Sequence, residues 1–295
     1  MITPTSFESV FGIPEIFGYI FVFIFGAVIG SFLNVVIHRV PREQSIVFPN
    51  SACPKCDSAI KPYDNLPIIS WLMLRGKCRK CGEPIAWRYP AVEALTGMIF
   101  MVVYAQLGLS VLLPVGFIFA AVMISLVFID AEHMILPNVI TYPLLVVALL
   151  VRIILPLFVA GNIFPDMAHW PATLFPGSTS WFVSLVGAVA GALVGGGSLW
   201  LVGEIWKRFR GVDAMGLGDV KMMFGVGALL GWRLAVLTIF LGAFTGAAAG
   251  IFMISRQKAK DMQTQIPFGI FLGTGALIAF LFGEKLINWY LSYFS

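Results

Sequence analysis

Long apolar runs separated by short polar connections constrain this chain more than any other feature. The first, "IFGYIFVFIFGAVIGSFLNVVI" (16–37), carries no charge. A helix needs roughly 20 mostly apolar residues to cross a bilayer. Lipid offers the backbone no hydrogen-bond partners, so such a run must be helical. The 295 residues have room for about eight such segments by that measure. Only 12% of residues are charged, against about a quarter in a typical soluble domain. The expected fold class is an all-α polytopic membrane protein of about eight transmembrane helices in a lipid bilayer.

The distribution of charge sets the expected topology. The net charge of +4 is no nucleic-acid signal. Residues 39–88 hold Arg39, Arg42, Lys55, Lys61, Arg75, Lys77, Arg79, Lys80 and Arg88, whereas 1–38 and 153–206 hold no Lys or Arg. Basic loops stay cytoplasmic. The 39–90 loop is therefore expected inside, and the N-terminus and the 161–180 loop outside. The first run lacks a basic n-region and is followed by "HRVPRE", so it reads as a permanent helix rather than a removable signal.

Helices are expected at about 14–38, 90–108, 111–129, 139–160, 181–206, 219–231, 234–254 and 268–290. Two short helices broken at Gly231-Trp232 are needed to return the chain to the inside between "KRFR" and Arg256, Lys258 and Lys260. The expected organisation is a first helix (1–38), a cytoplasmic loop (39–90) and a seven-helix core (91–295). Glycines in 187–250 read as close helix packing. No internal repeat is evident.

All four cysteines lie in the 39–90 loop, as Cys53-Pro-Lys-Cys56 and Cys78-Arg-Lys-Cys81, with 21 residues between the pairs. Thiolates at this spacing can close a tetrahedral zinc site. The other readings are free thiols or a disulfide, and a cytoplasmic position argues against the disulfide. Four cysteines leave no open position for water, so the zinc would be structural.

Ionisable residues at the ends of membrane helices are candidate functional sites. Asp130 falls at the end of helix 3 and Asp219 at the start of helix 6, both expected at the inside face. Two carboxylates about 3 Å apart cannot both ionise easily, and such a pair can hold a water between a base and an acid. Gly216 and Gly218 leave room beside Asp219, and Lys221 offers a positive charge. Asp219 can equally be a helix N-cap. Asp213, Glu132 and His133 read as flank or loop residues. Glu93, near the inside end of helix 2, reads as a residue supporting the polar site or pairing with Arg88.

Six blocks add to this reading: "GSFLNVVIHRVP" (30–41), "YDNLPIISWLMLRGKC" (63–78) with its C-x2-C pairs, "RYPAVEALTG" (88–97), "IDAEHMILPN" (129–138), "GLGDVKMM" (216–223) and "IPFGIFLGTG" (266–275). In this order they make the chain resemble, nearly end to end, the bacterial type IV prepilin peptidases of pilus and type II secretion systems. The resemblance implies a GxGD-type membrane aspartic protease of the bacterial inner membrane, with Asp130 and Asp219 as its pair. It further implies that a basic prepilin leader is cut after a glycine on the cytoplasmic side. The new N-terminus would then be methylated from S-adenosylmethionine. The family often has "LPD" where this chain has Leu136-Pro137-Asn138, and an Asn cannot serve as the acid. Family members without the cysteine loop are taken as peptidase-only, so the loop links to methylation, and Gly76 stands where that function is sensitive. No glycine-rich fingerprint marks residues that contact the methyl donor. Two alternatives remain at this point: an ion- or proton-coupled transporter using the same aspartates, and a cysteine loop that docks a secretion partner.

Overall fold

The computed structural model describes residues 5–53, 55–159, 163–164, 167, 173–175, 177–212, 215–256 and 267–294. Asp213, Lys258, Lys260 and half of the 161–180 loop lie outside the described residues. The chain divides into two compact units, residues 3–125 and residues 126–295, with the division inside one helix.

The first unit opens with α1 (Phe7–Phe11), whose N-cap Ser6 accepts the Ser9 amide and which stops at Gly12. Pro14 then starts α2 (Glu15–Arg39). The long loop carries the five-residue α3 (Ile69–Met73) and leads into α4 (Arg88–Leu107). Helices α2 and α4 pack closely because glycine lets their backbones approach: a Cβ at Gly26 would stand 2.8 Å from Gly97 Cα. At the other end of α4, Tyr104 donates to the Glu15 carboxylate and accepts the Phe7 amide at 3.1 Å. Helix α5 (Leu113–His133) begins in this unit, where Phe117 stacks on Phe100. The expected 1–38 and 39–90 segments thus stand in one unit with the first helices of 91–295.

The second unit holds the end of α5, then α6 (Asn138–Phe158), starting after Pro137 as "LPN" suggested. Next come α7 (Ser180–Ala192), a π-turn (Leu193–Gly197) and α8 (Ser198–Arg210). The remaining helices are α9 (Leu217–Leu230), α10 (Trp232–Arg256) and α11 (Phe268–Leu291). The glycine-rich tract packs α7 and the π-turn onto α9. Gly191 and Gly227 meet so closely that a Cβ on either would lie 2.0–2.1 Å from the other's carbonyl oxygen.

The fold class stands. Among the described residues, seven helices are long and apolar enough to span a membrane. The expected sixth, α9, is not one of them. Its 14 residues extend only about 21 Å, against a hydrocarbon core of about 30 Å. It is short because Gly216 precedes it and Gly231, at φ 82°, stops it, at the break expected at 231–232. Helix α9 is instead buried along most of its length. Two other ends move: α5 runs on through Asp130 to His133, and "KRFR" forms the last turn of α8.

Candidate active site and cysteine centre

Asp130 lies in the last turn of α5 and Asp219 in the first turn of α9, and both are buried, 5% and 9% exposed. They converge on the start of α11. A Cβ placed on Gly269 would stand 2.8 Å from Asp130 Oδ2 and 3.0 Å from Asp219 Oδ1. The two oxygens therefore cannot be further apart than those two distances together. The Ile270 amide donates to Asp130 Oδ2 at 3.0 Å. It belongs to the first turn of α11, where unpaired amides and the helix dipole favour a carboxylate.

The N-cap of α9 is Gly216, with no side-chain cap bond, and Asp219 stands three residues into the helix. The carboxylate is thus not the cap. Gly216 leaves room beside it, since a Cβ there would lie 3.2 Å from Asp219 Oδ2. Gly218 instead fits against Leu136 of the "LPN" turn, where a Cβ on the glycine would lie 2.9 Å from the Leu136 Cβ. Lys221 turns toward α6: its ammonium donates to Asn138 Oδ1 at 2.8 Å and lies 5.1 Å from the Tyr142 ring centre. Glu132 is exposed and His133 half-buried.

Gly269 and Ile270 went unassigned in the sequence reading, although "IPFG" is one of the quoted blocks. The available signal was Pro-Phe-Gly opening an apolar run, a helix start with a glycine inside it. A second unforeseen group is Arg152, fully buried in α6, with Nε donating to the Ser184 carbonyl at 3.2 Å and the guanidinium 4.3 Å from the Phe164 ring centre.

In the first unit the four cysteines form one cluster, their sulfurs all within 4.8 Å of one another. All four are free thiols. Cys53 Sγ and Cys81 Sγ are 3.8 Å apart, about the edge of a tetrahedron with Zn–S bonds near 2.3 Å. The set therefore fits a closed tetrahedral zinc.

The two knuckles share one backbone pattern. The Cys53 carbonyl accepts the Asp57 amide and the Cys53 amide donates to Ser58; Cys78 does the same with Gly82 and Glu83. A short antiparallel bridge closes each turn, Ala52 with Ala59 and Lys77 with Pro84. Asp57 and Gly82 both take positive φ. Lys55 of the first turn pairs with Glu83 of the second, and Arg79 of the second pairs with Asp64 in the segment that follows the first. Amides of Cys81 and Lys80 hold the Cys78 thiol down to about 6, while, against the Glu83 amide, burial and the neighbouring sulfurs push Cys81 up to about 11; the four sulfurs titrate as one set.

Gly76 sits just before the second knuckle at φ 65°. Trp71 covers it, leaving 2.9 Å to any Cβ, and the Trp71 indole donates to the Ile85 carbonyl at 3.1 Å. Glu93 is buried in α4 and accepts the Ile68 amide at 2.7 Å, so its carboxylate holds the loop that carries α3.

The architecture defines a class: a polytopic helical membrane protein with a buried aspartyl pair and a four-cysteine loop. Residues 24–107 match the bacterial peptidase A24 N-terminal domain, and residues 117–251 match the type IV leader peptidase family. A prepilin leader peptidase/N-methyltransferase of Aeromonas hydrophila is 34% identical over 97% of this chain and 98% of its own length. Proteins of the same name from Pseudomonas aeruginosa (32%, covering 91% of each chain) and Neisseria gonorrhoeae (34%, 92% of this chain and 93% of the other) are also similar. No solved structure matches. The chain belongs to the type IV leader peptidase family.

Proposed function

We propose that the protein removes the basic leader from type IV prepilins by aspartic proteolysis and then methylates the new N-terminus. The observation that carries the proteolytic reading is the convergence of Asp130 and Asp219 on Gly269. Two buried carboxylates that converge on one point can share a proton. The ionised member takes a proton from water, whose oxygen attacks the scissile carbonyl after a glycine of the leader. The protonated member gives its proton to the carbonyl oxygen. Collapse of the tetrahedral intermediate returns the hydroxyl proton to the second aspartate and expels the amine, which takes the proton that the first aspartate drew from water. No acyl-enzyme forms. The Ile270 amide keeps Asp130 oriented, and Gly216 and Gly269 leave space for the two carboxylates.

The active site faces the cytoplasm in this reading, as the basic 39–90 loop favours. The prepilin's apolar segment stays in the bilayer and its basic leader in the cytoplasm. The cysteine loop is the module tied to methyl transfer. Cys53, Cys56, Cys78 and Cys81 would hold zinc, which supplies a rigid cross-link to a loop too small for a core of its own. S-adenosylmethionine would supply the methyl group. Gly76 keeps Trp71 seated beside the second knuckle. The transporter alternative finds no support, since these relatives are named as peptidases.

The test is leader removal by purified Asp130→Asn and Asp219→Asn proteins in detergent or nanodiscs. Each is expected to insert in the membrane and to leave prepilin uncut.

A further inference from the structure

The first unit exposes an apolar face outside its membrane-crossing helices. Helix α3 turns Ile69, Leu72 and Met73 outward, 55%, 61% and 74% exposed, and Leu66 just before it is 50% exposed. The three helical residues are spaced i, i+3, i+4 and so share one side. The loop uses the other side. Ser70 is buried there, donating to the Tyr63 carbonyl and accepting the Leu66 amide, while Trp71 covers Gly76. Arg75, Lys77 and Lys80 follow at once, and all three are exposed.

A second observation sets the depth of this face. Ile68, the residue before α3, gives its amide to Glu93 at 2.7 Å. Glu93 lies in the second turn of α4, about 7–8 Å along the helix from Arg88. Helix α4 has 20 residues, about 30 Å, the thickness of the hydrocarbon core. Ile68 is thus held beside the second turn of a membrane-crossing helix, near the end of that helix. The contact also keeps a β-branched residue at φ 63°, ψ −50°, a conformation its side chain disfavours.

We propose that α3 lies in the bilayer surface, with Leu66, Ile69, Leu72 and Met73 among the lipid chains and the following basic residues on anionic headgroups. A short apolar face flanked by Lys and Arg is what an interfacial segment requires. Glu93 is the positioning residue that fixes its depth. The cysteine loop is then moored to the membrane at α3 as well as at the ends of α2 and α4.

The test places a photoreactive benzophenone side chain at Leu72, at Met73, or at exposed Ala59 in the full-length protein. The protein is reconstituted in vesicles of phosphatidylethanolamine and phosphatidylglycerol, with and without added prepilin, and adducts are read by mass spectrometry. Lipid adducts from positions 72 and 73 are expected at least five-fold above position 59. A Glu93→Leu change is expected to lower them at least three-fold. Yields at 72 and 73 equal to that at 59, or adducts with prepilin in place of lipid, would overturn the proposal. Unchanged yields in the Glu93→Leu protein would remove Glu93 from it.

Discussion

Gly269 is where the two aspartates meet, and its lack of a side chain is what allows them to do so. A methyl group there would press on both carboxylates at 2.8–3.0 Å. Gly269→Ala is therefore expected to lower leader cleavage on the order of 100-fold, the scale of an ångström-sized misplacement in an active site. Thermal stability in detergent should change little, because a shift of the carboxylates can relieve the contact. Asp130 and Asp219 were legible in the sequence because a charge in an apolar chain stands out. Gly269 was not, because nothing in a glycine's own neighbourhood tells which distant side chains approach it. Lys221 was placed beside the aspartates by sequence proximity, yet its ammonium reaches Asn138, because two residues along a helix are about half a turn and point a side chain to the other face.

At the scale of elements, α9 carries the central constraint. It is short, buried and pressed against α7 through Gly191 and Gly227. Gly227→Val would put carbon into a backbone carbonyl that has no flexible end to yield. It is expected to destabilise the fold by about 3 kcal/mol, the upper range for overpacking, seen as a lowered melting temperature. The break at Gly231 and the glycine packing were legible from punctuation and spacing. The true length of α9 and the π-turn were not, because apolar sequence sets burial without saying whether lipid or protein covers it. In the cysteine loop, Cys53→Ala removes one of four sulfurs. Methylation is expected to be lost while cleavage persists. A mass readout of both products checks it, and loss of binding to a secretion partner alone would instead mark the loop as a docking surface.

Across the whole molecule the two compact units divide the chemistry. The aspartyl pair, Gly269 and Ile270 all belong to the second unit, and the cysteine cluster with Gly76 to the first. A zinc chelator is therefore expected to suppress methyl transfer and spare cleavage. Added zinc should restore methylation, which can be followed by metal analysis beside product masses. The all-helical membrane class was legible end to end because hydropathy alone dictates it. The pairing of α5, α9 and α11 around one point was not, since it depends on contacts between residues 130, 219 and 269–270 that no local pattern encodes. The most direct test is the intact mass of a prepilin incubated with S-adenosylmethionine and the wild-type, Asp130→Asn or Asp219→Asn protein. The wild type should yield a product lacking its leader and one methyl group heavier, and each variant should leave full-length prepilin. Complete leader removal by either variant would contradict an Asp130–Asp219 pair as the cutting machinery.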